Sequence, residues 1–67
     1  MNVIVNGRPQ GLDDVLTLAD LLARLEMAQQ SGVAVLLNGE VARRSEWPRI
    51  RLQGGDELEI VRATVGG

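Results

Sequence analysis

The chain ends on Gly66-Gly67, and the α-carboxylate of Gly67 is its most distinctive reactive group. That follows from what the other positions lack. The sequence has no Cys, His or Tyr, and all 7 of its basic residues are arginines, so lysine is absent too. Most of the usual nucleophiles and general bases are therefore missing. Usage alone would put two glycines at the end of about 1 in 200 chains. A carboxylate at the tip of a segment without β-carbons can thread a narrow channel of another protein, because glycine adds no bulk and tolerates most backbone directions. Fraying is also the default at chain ends, so the two glycines alone leave both readings open.

The remaining chemistry-bearing residues read as structural. Asp13-Asp14 is a paired carboxylate, but it sits beside a helix start, where acidic residues are favoured electrostatically, and no third metal ligand is near in sequence. The arginines Arg43, Arg44, Arg49 and Arg51 cluster, yet Glu46 interrupts them and only Trp47 is available to stack on a base. They read as a solvated surface, not a nucleic-acid site. Trp47 reads as a lid on one end of the core, and Asp56 as a turn residue.

The elements that must position Gly67 are legible in the pattern. Met1 to Asn6 alternates, with Met1, Val3 and Val5 on one face, and Asn6-Gly7 supplies the positive-φ pair of a type I′ hairpin. The return, Arg8 to Asp14, contains Pro9 and Gly11 and reads as a short edge strand. Thr17 with Asp20 makes a capping box, with Leu16 and Leu21 in the staple positions around it. Leu18, Leu21, Leu22 and Leu25 recur at helical spacing, which predicts a helix from about Leu18 to Ala28. Val33 to Leu37 predicts a central strand buried largely on both faces. Asn38-Gly39 repeats the hairpin signal, with Val41 to Arg43 returning. Trp47-Pro48 predicts a loop, Leu52 to Asp56 a turn, and Glu57 to Arg62 a final strand with Leu58 and Ile60 inward. One main helix across a mixed four- to five-stranded sheet buries both apolar surfaces. The fold expected is an α+β roll of the β-grasp, or ubiquitin-like, kind. Its final strand, expected at a sheet edge, runs straight into a flexible tail at 63–67.

Length and composition agree with a single domain over residues 1–67. At 67 residues the chain is near the lower limit for folding without disulfides or metal. An aliphatic core with one aromatic is too small to enclose a substrate cavity as well. A net charge of −2 argues against nucleic acid or an anionic membrane as partner. No run of transmembrane length and no signal-peptide pattern occurs, so a cytoplasmic domain, monomeric when free, is expected.

The sequence resembles the sulfur-carrier family of thiamine biosynthesis, the ThiS-like proteins. The resemblance covers nearly the whole chain: Thr17 to Leu22, Val33 to Glu40, Arg44-Ser45-Glu46-Trp47, Leu52 to Asp56, Leu58 to Val61, and Val65-Gly66-Gly67. Where the family often has a third glycine, this chain has Val65. The resemblance implies that a partner, an adenylating (E1-like) enzyme, activates the Gly67 carboxylate and that it becomes a thiocarboxylate. The sulfur, supplied by a donor such as a cysteine desulfurase system, then passes to thiazole synthase. The residues agree with that scheme. A carboxylate is a poor electrophile until one oxygen becomes a leaving group, which adenylation achieves. With no P-loop motif and no lysine, this chain is expected to bind no cofactor itself, and ATP is used by the partner. The carrier is thus no enzyme; Val65 and Gly66 enter the partner's channel, and Gly67 is modified.

Two other classes stay open on these residues. The small subunit of molybdopterin synthase shares fold and tail but is typically longer and lacks the Asn-Gly-Glu and Arg-Ser-Glu-Trp arrangement. A ubiquitin-like modifier of other proteins would also need this tail. Finally, Ile4, Leu36 and Val61 are expected on the sheet face opposite the helix, where an apolar patch would contact a partner.

Overall fold

A computed structural model describes residues 1–13 and 17–63. Both Asn-Gly pairs adopt the left-handed geometry that a type I′ turn requires. Asn6 and Gly7 have φ of 51° and 81°, and Asn38 and Gly39 have 50° and 86°. The first turn folds β1 (Asn2–Val5) against β2 (Arg8–Gly11); the second folds β3 (Val33–Leu37) against β4 (Glu40–Ala42). Each hairpin leaves one edge of its first strand open. β5 (Glu57–Arg62) fills both open edges, parallel to β1 and antiparallel to β3. The sheet is therefore mixed and five-stranded, in the order β2-β1-β5-β3-β4. With one helix across it, this is the expected α+β β-grasp roll.

Three expectations about the strands and the main helix need correction. The final strand is not at a sheet edge but in the middle, because only it can pair with β1 and β3 at once. β3 is interior but not buried on both faces: Val35 is buried while Ala34 is exposed, since the helix covers one face only. The helix α1 spans Leu18–Arg24 and stops short of Ala28. Glu26 takes φ 60°, its N–H donates to the Ala23 carbonyl (3.1 Å), and the Met27 N–H donates to the Leu22 carbonyl (2.8 Å). That is a Schellman termination with glutamate where glycine is usual. Met27 then packs on the core, supplying the apolar contact that accompanies such an ending.

The start of α1 is as expected. Thr17 Oγ1 accepts from the Asp20 N–H, and Asp20 Oδ2 accepts from the Thr17 N–H, both at 3.1 Å. Leu18, Leu21 and Leu22 are buried against Val3, Val5, Val35, Leu58 and Ile60 of the inner sheet face. Trp47-Pro48, expected as a loop, lies instead in a 3₁₀ helix (Arg44–Arg49) that carries Trp47 into the core. The Trp47 indole N–H donates to the Ala42 carbonyl at 2.9 Å, so burial leaves its polar atom satisfied. Leu16, Val15 and Asp14, and with them the staple and half of the Asp pair, lie outside the described residues. Among the described residues, no helix is long and apolar enough to cross a membrane.

Candidate functional site

The site is built on β5, the strand that leads to the C-terminus. On one side, the Ile4 N–H donates to the Asp56 carbonyl and the Asn6 N–H to the Leu58 carbonyl, each at 2.8 Å. The chain then turns away, and the Asn6 carboxamide takes over: it accepts from the Ile60 N–H (2.8 Å) and donates to the Ile60 carbonyl (3.2 Å). On the other side, the Asn38 N–H donates to the Glu57 carbonyl at 2.7 Å, and Asn38 Oδ1 accepts from the Glu57 N–H at 2.9 Å. Asn38 Nδ2 also donates to Asp56 Oδ1 at 3.1 Å, while Asp56 Oδ2 accepts from the Gln53 N–H at 2.7 Å. Asp56 thus serves the turn, as expected. Each asparagine serves twice, once as a turn residue and once as a clamp on β5.

The far end of β5 is held by backbone. The β3–β5 ladder closes at Val33 and Arg62, and one further bond runs from the Ala63 N–H to the Gly32 carbonyl at 2.9 Å. Gly32 has φ 76°, and a β-carbon there would lie 2.7 Å from the Ala63 carbonyl oxygen. Only glycine fits that approach. Gly32 belongs to a loop braced from across the molecule. The Arg44 guanidinium donates to the carbonyls of Ala28 (2.6 Å) and Gln30, and it lies over the Trp47 ring, 4.6 Å from the centroid. Gln30 in turn donates through its side chain to the Glu26 carbonyl at 2.8 Å. Arg44, grouped by sequence with a solvated basic surface, is exposed and also makes bonds within the chain.

Val65, Gly66 and Gly67 lie outside the described residues, as does the rest of the expected tail after Ala63. Covalent geometry still bounds the reach: four residues beyond Ala63 span at most about 14 Å.

On the outer sheet face the structure brings Ile4 and Leu36 to opposite sides of β5. Together with Glu57 and Glu59 they line an open groove of about 430 Å³. Val61, 55% exposed, shares the face but pairs with Ala34, further along β5. Val41, 73% exposed, extends the apolar surface beside Leu36. The two glutamates standing between Ile4 and Leu36 were legible as outward-facing, but their place inside the patch follows from register. Gly32, the two clamping asparagines and the Arg44 brace went unread as such. Asn-Gly signals a turn without saying what its side chain will reach, and nothing near Gly32 in sequence announces Ala63.

Among the described residues, no three His, Cys, Asp or Glu side chains converge. What the described residues form is a hydrogen-bonded platform that presents one strand end and one outer face.

Comparison with known proteins accords with this platform. The family model described as the ThiS family matches residues 3–67. The crystal structure of the thiamine biosynthesis protein ThiS from Geobacter metallireducens is similar over 100% of both chains, at 38% identity and a TM-score of 0.83. The solution structure of a thiamine biosynthesis protein from the same organism is similar over 100% of this chain and 88% of that one, at 38% identity and a TM-score of 0.79. A comparison with curated proteins gives no match. A match over nearly the whole length, in sequence and in fold, means that the chain belongs to the ThiS family, small β-grasp sulfur carriers of thiamine biosynthesis.

Proposed function

We propose that this protein carries sulfur as a thiocarboxylate on Gly67 for formation of the thiazole ring of thiamine. The observation that carries the reading is the ThiS family match through residue 67, which takes in the Gly66-Gly67 end. The chemistry follows from the carboxylate. An oxygen of Gly67 attacks the α-phosphorus of ATP on an adenylating partner, and pyrophosphate leaves. The terminal sulfur of a persulfide from a cysteine desulfurase system then attacks the acyl carbon and displaces AMP; a partner's thiol attacks the donor sulfur of the resulting acyl disulfide, so that the thiocarboxylate leaves and the donor is left in a disulfide. Thiazole synthase receives the sulfur. The carrier supplies the carbonyl, and its partners supply ATP binding and catalysis, in the cytoplasm where ATP is available.

Two features of the chain support this division of labour. Glycine at positions 66 and 67 removes side-chain bulk around the attacked carbonyl. The outer face offers Ile4, Leu36 and Val61 as a contact surface, with Glu57 and Glu59 among them. A partner surface of aliphatic groups with a basic side chain between them would complement it in shape and sign. The family match favours thiazole formation over the molybdopterin role that the sequence left open.

The test is intact-mass measurement after incubation with the cognate adenylating enzyme, ATP and a sulfur donor. One oxygen should be replaced by sulfur, at Gly67. Genetic rescue separates the pathways: rescue of molybdenum-cofactor deficiency without rescue of thiamine auxotrophy would overturn the assignment.

A further inference from the structure

The Arg44-Ser45-Glu46-Trp47 segment has no part in the chemistry proposed for Gly67, yet its first residue makes two hydrogen bonds and a ring contact within the fold. Its guanidinium, stacked on Trp47, bridges the carbonyls of Ala28 and Gln30. Two residues after Gln30 comes Gly32, whose carbonyl holds the Ala63 N–H. A continuous physical path therefore runs from the buried Trp47 through Arg44 and the 28–32 loop to the last backbone bond among the described residues.

We infer that Arg44 and Gly32 together fix the point at which the C-terminal tail leaves the domain, making Arg44 a positioning residue for activation of Gly67. The inference rests on the carrier reading above. Its physical content is a length limit. With Ala63 clasped, the carboxylate reaches at most about 14 Å from the domain. Releasing the clasp lengthens the segment beyond the last bond described and raises the entropy lost when the tip is held at a reacting centre. A docked carrier would then present its carbonyl correctly for a smaller fraction of the time, which lowers turnover more than it weakens docking.

Arginine is the residue type suited to this task. Its planar fork of donors can bond two carbonyls while its face lies on an aromatic ring. Glycine is required on the other side of the clasp, because a β-carbon at position 32 would sit 2.7 Å from the Ala63 carbonyl oxygen.

The test combines amide exchange with adenylation kinetics. In Arg44→Gln, exchange at the Ala63 amide should accelerate at least about tenfold, while the Leu12 amide, bonded to the Met1 carbonyl at the opposite side of the sheet, keeps its rate. The same variant should lower kcat for adenylation about five- to tenfold, with KM for the carrier within about twofold of wild type. Ala63→Pro, at an exposed position, removes the clasping N–H without touching the core and should reproduce the kcat loss even if Arg44→Gln folds poorly. Arg49→Gln, in the same basic cluster, controls for charge and should leave kcat and KM unchanged. Wild-type Ala63 exchange in a folded Arg44→Gln, wild-type kcat in Ala63→Pro, or an equal kcat loss in Arg49→Gln would each overturn the inference. If the wild-type carrier were not adenylated at all, the carrier reading would fail, and Ala63 exchange would still decide whether the brace exists.

Discussion

The side chain of Asn6 satisfies both main-chain polar groups of Ile60, a residue 54 positions away: the Ile60 N–H donates to Asn6 Oδ1 and Asn6 Nδ2 donates to the Ile60 carbonyl. The two partners fix the amide orientation, since Ile60 needs one acceptor and one donor. A turn residue thereby continues the β1–β5 pairing after its own main chain has turned away.

Removing that carboxamide should destabilise the fold in two separable ways. Asn6→Ala loses both bonds and places a β-branch-free but chiral residue at φ 51°, for a combined cost of about 2–3 kcal/mol. Asn6→Gly loses the bonds but accepts the backbone conformation, so it should cost less. Urea unfolding of the two variants measures the difference, and equal losses would show that the turn geometry contributes nothing.

The leucine stripe supplies the second prediction. Leu22 is completely buried, and Leu22→Ala should cost about 2–4 kcal/mol. Denaturant titration with an unchanged m-value is the check. A loss within the ordinary surface range of about 0.5 kcal/mol would be incompatible with its burial.

Glu26 offers a stabilising change. Its left-handed φ of 60° is strained for a residue with a β-carbon, and the side chain makes no contact that the helix ending needs. Glu26→Gly should add about 0.5–1 kcal/mol. For a domain of this size that is a rise in Tm of about 3–6 °C, measurable by thermal melting.

At the tail, deleting Gly67 or extending the chain past it should abolish thiocarboxylate formation while leaving the circular dichroism spectrum and Tm intact. Gly66→Ala should slow turnover if the partner's channel requires an unsubstituted backbone, because a β-carbon adds bulk and narrows φ/ψ. Mass spectrometry of the reacted carrier reads both. Sulfur transfer by the Gly67-deleted protein would end the carrier reading, since the chain has no cysteine to hold the sulfur.

For the outer face, Val61→Arg is the informative substitution. Val61 is half exposed, so stability should change by no more than about 0.5 kcal/mol. If this face contacts the adenylating partner, KM for the carrier should rise about tenfold or more, the cost of placing a charge in an apolar contact. Steady-state adenylation with an unchanged KM would remove Val61 from the interface.

Local chemistry was enough to read much of this protein from its residues. The Asn-Gly pairs dictate tight turns because few residues tolerate two successive positive φ angles, and both turns form. Thr17 and Asp20 announce a helix start because their side chains satisfy neighbouring N–H groups, and both bonds are present. The alternation at Leu58 and Ile60 follows from the pleat alone. The interest of Gly66-Gly67 likewise follows from composition, by elimination of other reactive groups. Tertiary structure decided the rest. Nothing local says that β5 lies between two hairpins, since strand order depends on which open edges remain to be paired. The chain leaves α1 through a left-handed Glu26, without a glycine, where Met27 packs on the core. Arg44 and Gly32 acquire their roles only when the chain brings Ala28, Gln30 and Ala63 beside them. Contacts between residues distant in sequence leave no periodic trace, so a spacing pattern reveals which face a side chain takes and not what it meets there.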